Sequence, residues 1–512
     1  MAAGTGTHQT LPGFRLIMKL TLISPRLAIQ KGDFLGSGVP YWPIELATLA
    51  AYARAEGDTV SFIDLFGNEP RRLTDAGDYY LQGQPISDHL QSHSLRDADA
   101  LILYAISYMS HQELLSITTL LKESFPHVHV AVLENSQAVT AYSLQRVARD
   151  YFDAGADSLI CGEPYFNWDA VKRHMRGEGA QKVPSNILTR GSTFEPERLT
   201  SKSASYPVPA WDLVNLRGYW SIPYSHGPKT PTFLPILTSR GCPYPCDFCV
   251  VPETNARRWR GNAPEDVVEE IIALRDRYGV HDFQVEDLNP TVQHQRWERI
   301  CELLIERKAN VRFYFVSGTK AETIRIEKVP LFAKAGCRYL SISPESGSPE
   351  LMRIIGKVFD YEHGVELVAT CRQHGIRTQA CFLVGHPGEN EQYFEESRKY
   401  ISRLVKAGLD EIAVFVVAPF AGSRLHTTRD ISVNDKSALI SFSPKGRAGY
   451  DTLARRRRVM IRTFFIEKLA RGLEFWMQGL RAIIGRPATK MENLPRRMAF
   501  IYYRLIMLAF GR

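Results

Sequence analysis

Three cysteines in a stretch of eight residues constrain this chain more than any other feature of its sequence. Cys242, Cys246 and Cys249 follow the spacing C-x3-C-x2-C within the segment RGCPYPCDFC. The residues just before it, 233–239, are apolar and partly β-branched, which predicts a strand that runs into the cysteine loop. Active sites of α/β proteins lie at the carboxyl ends of strands. We therefore expect a metal centre at the end of this strand.

The number and spacing of these cysteines narrow the choice of metal. Structural zinc sites usually take four ligands, commonly as two C-x2-C pairs, but the other cysteines of this chain are scattered singly. A disulfide framework is disfavoured because three is an odd number and the first residues contain no secretory signal. Thiolates also bind iron–sulfur clusters, normally four to a cubane. Three would leave one iron open to a substrate or cofactor; the alternative is three unrelated cysteines in a loop.

The cysteine loop resembles the signature of the radical S-adenosylmethionine (SAM) superfamily, and Phe248 supplies the aromatic residue that is usual before the last cysteine. The resemblance implies a [4Fe-4S] cluster on Cys242, Cys246 and Cys249, whose open iron binds the amino and carboxylate groups of SAM. It also implies that one electron from the cluster cleaves SAM and releases a 5′-deoxyadenosyl radical. A reductant such as flavodoxin or ferredoxin is then required.

Length and composition set the bounds on the rest of the chain. A chain of 512 residues is long enough for two or three domains. Its 44% hydrophobic and 23% charged residues are ordinary for a globular protein. The cysteines show no pairing logic and there is no apolar run long enough to span a membrane, so we expect a cytoplasmic protein. Residues 1–13 are expected to be a disordered tail.

Residues 14–185 alternate between predicted strands and helices with short turns between them. This order predicts a doubly wound, Rossmann-like parallel sheet. Such sheets bind ligands beyond the carboxyl ends of their strands. The predicted strands are 14–24, 59–64, 98–107, 127–133 and 158–161.

Placed before a radical SAM signature, this domain resembles a cobalamin-binding domain. The resemblance implies that cobalamin lies against Ser107, Ser136, Gly162 and Glu163. Two features depart from the family pattern: the D-x-H-x-x-G motif that supplies a histidine to cobalt is absent, and Glu134-Asn-Ser-Gln137 replaces the usual Gly-Gly after the fourth strand. Side chains there would crowd a ligand that glycine admits. The alternative is a degenerate Rossmann-like domain that only supports the catalytic domain or shapes the substrate site.

A proline-rich linker at 186–230 leads into a predicted catalytic domain at 231–430. Six predicted strands with intervening helices indicate an incomplete, TIM-like (βα)6 barrel, the architecture that the radical SAM resemblance implies. Its open side would admit a substrate or receive the first domain. The cysteines outside the loop are expected to be small core residues, and His386 is expected to orient the loop in which it lies.

The resemblance also places SAM-binding residues at the ends of these strands. Glu286 or Asp287, after the second strand, would hold the SAM ammonium group; side-chain alternation does not choose between them, and an acidic helix N-cap is the alternative. Lys320, after the third strand, would lie near the SAM carboxylate unless it is a surface lysine. Glu345, after the fourth, would accept hydrogen bonds from the ribose hydroxyls. Gly385, after the fifth, would let adenine approach the backbone.

Residues 431–512 are predicted to be a basic helical region. From Lys445 to Arg512 there are 16 Lys and Arg against 4 Asp and Glu, a balance of +12, whereas the whole chain carries +8. Apolar residues among the arginines indicate either peripheral contact with an anionic membrane or a cap over the barrel. No RNA-binding module accompanies the basic residues, so nucleic acid is not expected as a partner.

Together these features favour a cobalamin-dependent radical SAM enzyme that methylates an unactivated carbon of a lipid or secondary metabolite. A second hypothesis keeps the radical chemistry but replaces methyl transfer with ring formation, rearrangement, oxidation or epimerisation. A third is a non-catalytic iron–sulfur scaffold, which would bind a cluster but not SAM.

Overall fold

The computed structural model contains two α/β units followed by C-terminal helices. The tail expected at 1–13 lies outside the described residues. The residues that the structure describes are 16–33, 36–138, 140–178, 183–198, 206–428, 441 and 443–510.

The first unit is built on a six-stranded sheet in the order β2-β1-β3-β4-β5-β6. The first five strands along the chain are parallel, and β6 pairs antiparallel with β5. The strands are β1 (Lys19–Ser24), β2 (Thr59–Asp64), β3 (Ala100–Ala105), β4 (His129–Glu134), β5 (Ser158–Ile160) and β6 (Ile187–Leu188). The main helices are α1 (Ile44–Ala55), α2 (His111–Ser124), α3 (Ala148–Asp153) and α4 (Trp168–Met175).

The central strands of this sheet are buried on both faces, which explains their almost wholly apolar sequences. In β3, Leu101 and Leu103 pack into the core on one face, whereas Ile102 and Tyr104 pack into the core on the other. Helices therefore cover both faces, and the predicted doubly wound sheet is confirmed.

The second unit is a six-stranded parallel sheet whose strands lie in chain order. Within the described residues its first and last strands do not pair with each other, so the predicted incomplete (βα)6 barrel is confirmed. The strands are β7 (Leu234–Ile236), β8 (Asp282–Val285), β9 (Arg312–Thr319), β10 (Cys337–Glu345), β11 (Arg377–Val384) and β12 (Glu411–Val416). The helices are α5 (Pro264–Tyr278), α6 (His294–Glu306), α7 (Val329–Ala335), α8 (Pro349–Ile355), α9 (Tyr361–Gln373) and α10 (Glu391–Ala407).

Local sequence explains where the first barrel helix begins and ends. Pro264 occupies its first turn with Glu265 and Asp266, which suit the positive end of the helix dipole. Gly279 ends it with a φ of +65°, a conformation that glycine adopts without strain.

Three C-terminal helices follow the barrel: α11 (Tyr450–Leu469), α12 (Leu473–Ile484) and α13 (Leu494–Ala509). Helix α11 packs against α10 and β12, and its Met460 and Phe464 are fully buried in the barrel core. This helix therefore caps the barrel. None of the helices described is long and apolar enough to cross a membrane.

Short elements complete the two units. A small antiparallel sheet beside the first unit contains Leu27–Gln30, Leu73–Asp75 and Tyr79–Gln82, and Ser239–Arg240 pairs with Arg260–Gly261 around the cysteine loop. Short α-helices lie at Leu65–Asn68, His93–Arg96, Leu216–Ser221, Val251–Thr254 and Arg424–Thr428.

Candidate active site

The cysteine loop follows β7 and is anchored on the first unit. Arg240 forms an ion pair with Glu45 (Nη2–Oε1 2.9 Å), and its guanidinium lies 3.4 Å from the ring centroid of Tyr206. The backbone N–H of Gly241 donates to Gln137 Oε1 at 2.9 Å. Gly241 has a φ of +75°, and a Cβ there would lie 1.9 Å from a backbone oxygen, so this position requires glycine. The loop is therefore fixed one residue before its first cysteine.

The three thiols of this loop suit an iron–sulfur cluster better than a single ion. Cys242, Cys246 and Cys249 are partly exposed, and burial raises the pKa of each thiol, that of Cys246 to about 11. Within the part of the chain described, no three His, Cys, Asp or Glu side chains are placed to hold one metal ion. A cubane does not need that convergence, because each thiolate binds a different iron. The set of soft sulfur donors therefore fits a cluster.

A histidine from the fifth barrel strand holds the cysteine loop in place. His386 Nδ1 accepts the backbone N–H of Gly388 at 3.3 Å, so Nε2 carries the proton and donates to Asp247 Oδ2 at 2.8 Å. The backbone N–H of Asp247 donates to the carbonyl of Ile355 at 3.0 Å. His386 thus accepts a hydrogen bond within its own loop, which it was expected to orient, and also holds the loop of Cys246 and Cys249, a contact that the sequence did not predict.

A buried ion pair lies at the end of β10. Lys357 Nζ is 2.7 Å from Glu345 Oε1, and it also donates to the backbone oxygen and hydroxyl of Ser343 at 2.6 and 2.8 Å. Burial disfavours the charged lysine, but the Glu345 carboxylate outweighs this effect, and the pKa of Lys357 is raised. Glu345 has a φ of +60°, a strained value for a residue with a side chain. Such strain is typical of functional positions.

The structure distinguishes the two adjacent carboxylates after β8. Asp287 accepts hydrogen bonds from the backbone N–H and the hydroxyl of Thr238, both at 2.7 Å, and from the hydroxyl of Ser239. Glu286 Oε2 lies 2.7 Å from His226 Nδ1, while its Oε1 is buried without a hydrogen-bond partner. Asp287 therefore fixes the turn before the cysteine loop, and Glu286 has an acceptor oxygen available to a ligand.

Lys320 and Phe248, both predicted to lie near SAM, contact the cysteine loop and the barrel. Lys320 Nζ lies 5.3 Å from the ring centroid of Tyr244, inside the loop, and pairs with Glu322 at 3.0 Å. Phe248 packs against the barrel core and against a small apolar cluster with Val417. SAM contact by these two residues stays a prediction.

Gly385, where adenine was expected, is covered by the C-terminal region. Its φ is +80°, and a Cβ there would lie 2.7 Å from the side chain of Leu453 and 2.9 Å from Arg447. Arg447 also donates to the carbonyl oxygen of Gly385. The close approach that requires glycine here is made by the protein itself, and contact with adenine stays a prediction.

The residues expected to contact cobalamin come together at the carboxyl end of the first sheet, but protein groups already pair with them. Ser136 Oγ accepts from Gln137 Nε2 at 2.8 Å. Glu163 accepts the hydroxyl of Tyr206 at 2.7 Å and pairs with Arg260 of the barrel unit. Ser107 Oγ accepts a backbone N–H two residues further on, at 3.2 Å.

The segment that replaces Gly-Gly is buried and forms part of the contact between the two units. Glu134 pairs with Arg198 at 2.6 Å and accepts the backbone N–H of Gly162 at 2.9 Å. Gln137 reaches Gly241, as above, and Asn255 Oδ1 at 3.1 Å. Each of these polar groups is satisfied within the protein.

Cavities at this edge are small. One of about 20 Å³ lies beside Ser107, and one of about 30 Å³ lies beside Asn135 and Gln137. A water molecule needs about 10–15 Å³ of space for its centre, so each of these spaces has room for one or two waters and not for a corrin ring. Neither of these two cavities accommodates cobalamin in the conformation described.

Sequence reasoning did not identify two contributors to the site. His226, from the linker, binds Glu286, and Gln137, from the first unit, binds the backbone beside Cys242. Both act on residues far away in the chain, and neither belongs to a motif or to a periodic pattern. Lys357 was also assigned no role from the sequence. Its only signal is its position after Gly356, in a turn similar to one found in the radical SAM family.

Comparisons with known proteins agree with this geometry. The model of the radical SAM superfamily matches residues 236–401, from β7 into α10. The chain is 23% identical over 460 residues to cytidylyl-2-hydroxyethylphosphonate methyltransferase of Streptomyces wedmorensis, covering 81% of this chain and 82% of that protein. It is 29% identical over 196 residues to anaerobic magnesium-protoporphyrin IX monomethyl ester cyclase of Rubrivivax gelatinosus, covering 38% of this chain and 34% of that protein.

Solved structures share the whole arrangement of the two units. The radical SAM methyltransferase TsrM of Kitasatospora setae superposes with a TM-score of 0.60 at 16% identity, over 80% of this chain and 76% of that one. The cobalamin-dependent SAM radical enzyme OxsB superposes with a TM-score of 0.57 at 17% identity, over 87% of this chain and 56% of that one. Residues 236–401 therefore form a radical SAM domain, and the two α/β units together share the fold of TsrM and OxsB.

Proposed function

We propose that this radical SAM enzyme holds its [4Fe-4S] cluster on Cys242, Cys246 and Cys249 and methylates a small molecule bound inside the barrel. The observation that carries the proposal is the position of the three thiols, in the loop after β7, at the same edge of the barrel sheet as Glu286 after β8 and Glu345 at the end of β10. When bound, the cluster supplies the electron that cleaves SAM, and a protein reductant supplies that electron to the cluster.

The residues around the loop have distinct roles in this proposal. The free oxygen of Glu286 accepts a hydrogen bond from the SAM ammonium group, with His226 holding the carboxylate in place. Glu345, fixed by Lys357, accepts hydrogen bonds from the ribose hydroxyls. The charge of Lys357 also favours thiolates over thiols in the loop. His386 holds the cysteine loop against the end of β11.

Methyl transfer is supported by the relatives. Several proteins of similar sequence are named methyltransferases, among them bacteriochlorophyllide d C-12(1)-methyltransferase of Chlorobaculum tepidum, at 24% identity over 39% of this chain. TsrM, with the same fold, is a radical SAM methyltransferase, and one of its structures holds cobalamin and a [4Fe-4S] cluster.

The closed edge of the first sheet favours a second candidate, radical chemistry on the substrate without methyl transfer. Ring formation, rearrangement, oxidation and epimerisation belong to this class. The observation behind it is the buried Glu134–Arg198 pair, together with cavities of only about 20 and 30 Å³ where a corrin would lie.

One experiment separates the two candidates. The full chain is reconstituted anaerobically with iron and sulfide, incubated with hydroxocobalamin, passed through a desalting column, and then reduced in the presence of SAM. Retained cobalamin with S-adenosylhomocysteine beside 5′-deoxyadenosine supports methyl transfer. 5′-Deoxyadenosine alone, with no cobalamin retained, supports the second candidate. Absence of 5′-deoxyadenosine with every reductant rejects both and leaves the iron–sulfur scaffold.

Peripheral membrane contact is a separate proposal, supported by the surface of the C-terminal helices. Leu473, Trp476 and Ile483 on α12 are 76%, 71% and 83% exposed, and exposed arginines lie on α11 and α13. Apolar side chains beside basic ones suit an anionic lipid surface. The chain should float with phosphatidylcholine vesicles that contain phosphatidylserine, and Trp476→Ser together with Ile483→Ser should abolish flotation. Equal flotation with and without phosphatidylserine would contradict the electrostatic part.

A further inference from the structure

The barrel encloses a cavity of about 280 Å³. The inner faces of β9, β11 and β12 form one side, and α11, α13 and the turn before α13 form the other. Its wall is largely apolar, with contributions from Val316, Ile461, Phe464, Met491 and Leu494. The volume is just below the range for small-molecule pockets, about 300–1000 Å³. This space suits a small molecule and not a polymer segment.

Two cationic side chains line this cavity without a carboxylate partner. Lys490 Nζ donates to the carbonyl of Val316 at 2.7 Å. Arg497 is buried, donates to the carbonyl of Ser37, and lies 4.9 Å from the ring centroid of Tyr224, while its Nε has no hydrogen-bond partner. Among the residues described, neither cation has a carboxylate oxygen within the 4.0 Å of a salt bridge.

The other charges of the cavity wall are already neutralised or fully hydrogen-bonded. Arg457 pairs with Asp33 at 3.5 Å. Glu411 accepts the hydroxyl of Tyr339, the amide of Gln379 at 3.1 Å, and two backbone N–H groups. Glu411 keeps its negative charge and partly offsets that of Lys490. Because the wall contains three cations, Arg457, Lys490 and Arg497, and Asp33 pairs with the first of them, the wall still has an excess of positive charge.

Enclosed cations of this kind are costly unless an anion joins them. Removing a charge from water carries a large penalty that pairing offsets. Burial lowers the pKa of both Lys490 and Arg497, because removal from water disfavours their charged forms. Because the rest of the wall is apolar, a matching ligand has one anionic group and an apolar body.

The cavity adjoins the groups assigned to SAM. Its wall includes Gly318, whose carbonyl accepts the hydroxyl of Ser343, and Ser343 in turn binds Lys357 of the Glu345 pair. The cavity also shares His226 with the small space lined by Glu286. A molecule in the cavity therefore lies next to the place where the radical would form.

We propose that this cavity is the substrate site and that it takes a small molecule with a carboxylate or phosphate group on an apolar body, with the anion against Arg497 and Lys490. The proposal rests on the proposed function and deepens it by naming a substrate class. The apolar body lies against Phe464 and Ile461, and the anionic group fixes which carbon faces SAM.

The test uses three probes of equal chain length: hexanoate, hexyl phosphate and hexanol. Binding to the anaerobically reconstituted full chain is measured by calorimetry. Hexanoate, hexyl phosphate or both should bind at least tenfold more tightly than hexanol, and which of them binds identifies the anionic group. Arg497→Met should weaken anion binding at least tenfold, and Lys490→Met should also weaken it. Arg496→Met, an exposed neighbour on the same helix, should not.

Two results overturn this proposal: hexanol binding as tightly as both anions, or anion binding that is unchanged in Arg497→Met and Lys490→Met. The comparison of probes on the wild-type chain stands even if a variant does not fold. Failure of the substrate proposal can be told apart from failure of the proposed function, because SAM cleavage by the wild-type chain is assayed separately. Cleavage without anion binding rejects only the substrate class.

Discussion

The carboxyl ends of two parallel sheets meet in this molecule, and they differ in the space that lies beside them. At the end of the first sheet, Glu134, Gln137 and Glu163 are buried and bonded within the protein, beside a cavity of about 20 Å³, and a cavity of about 30 Å³ lies between this edge and Glu286. At the second, Glu286 and Arg497 keep unpaired polar atoms, and the cavity is about 280 Å³. Buried polar groups are nearly always paired, yet both edges contain exceptions: Asp64 Oδ2 and Thr140 Oγ1 at the first, Glu286 Oε1 at the second. The difference in cavity volume is therefore what supports a ligand site at the second edge.

Of the substitutions that test this comparison, the largest effect is expected at the buried Glu345–Lys357 pair of the barrel. Glu345→Gln leaves Lys357 without its partner, and breaking such a pair costs about 3–5 kcal/mol. We expect the rate of 5′-deoxyadenosine formation to fall about 100-fold or more and the melting temperature to drop. Glu350→Gln, which breaks an exposed pair with Arg353, is the matched control and should change neither. Wild-type rates in Glu345→Gln would remove this carboxylate from the site.

The first sheet contains a buried carboxylate whose effect should be on stability alone. Asp64 ends β2 and accepts the backbone N–H of Gly67 at 2.9 Å, and burial raises its pKa to about 6. Because the pKa of the folded state exceeds the value of 3.8, the wild-type chain gains stability as the pH falls from 6 to 4. At pH 7 the charged carboxylate is penalised. Asp64→Asn should therefore stabilise the fold at pH 7 by up to about 3 kcal/mol.

Denaturant unfolding at several pH values checks this prediction. The advantage of Asp64→Asn should disappear near pH 4, where the carboxyl group of the wild-type chain is protonated in the folded state. Asp153→Asn, at an exposed position, serves as the control. A constant advantage across this range would mean that the charge of Asp64 is not the cause.

The contact between the two edges is tested at Gln137. Its amide joins the backbone of Gly241 to the side chain of Asn255. Gln137→Ala leaves both partners buried and unpaired, which costs about 1–3 kcal/mol. We expect a lower free energy of unfolding and a lower iron content after reconstitution, since Gly241 precedes Cys242. Gln392→Ala, at an exposed position, should leave both unchanged; equal iron content in the two variants would show that the first unit does not support the loop.

The smallest expected effect is on the KM for SAM, and it shows which of Glu286 and Asp287 binds the SAM ammonium group. Glu286→Gln removes a charged acceptor and should raise the KM for SAM about tenfold, equivalent to about 1.4 kcal/mol. Asp287→Asn should instead lower the melting temperature and leave the KM unchanged, because Asp287 bonds only to Thr238 and Ser239 among the residues described. The reverse pattern would show that Asp287 binds SAM.

The parts of this molecule that the sequence predicts well are those determined by local pattern. The apolar strand 100–105, buried on both faces, and the helix that begins at Pro264 and ends at Gly279 follow from composition and capping alone. The cysteine loop is also local, so the residues 242–249 are sufficient to indicate a cluster. The sequence therefore predicted the two sheets, and the metal centre on these three cysteines stays a prediction.

The rest of the site depends on contacts between distant segments, which local pattern does not contain. Alternation along β8 did not separate Glu286 from Asp287, because the choice depends on His226 in the linker and Thr238 after β7. The barrel cavity is closed by α13, whose Arg497 donates to Ser37 across 460 positions. Cys381 was expected to be a core residue, but it is partly exposed because it lines this cavity, which distant segments of the chain form together.

The central claim is that the loop of three cysteines binds a cluster that cleaves SAM, and the most direct measurement is 5′-deoxyadenosine formation by the anaerobically reconstituted and reduced chain. The wild-type chain and a Cys161→Ala control, at a buried position away from the loop, should both form it. Alanine at Cys242, Cys246 or Cys249 should reduce its formation to background. Undiminished cleavage of SAM in any of these three variants would contradict the account.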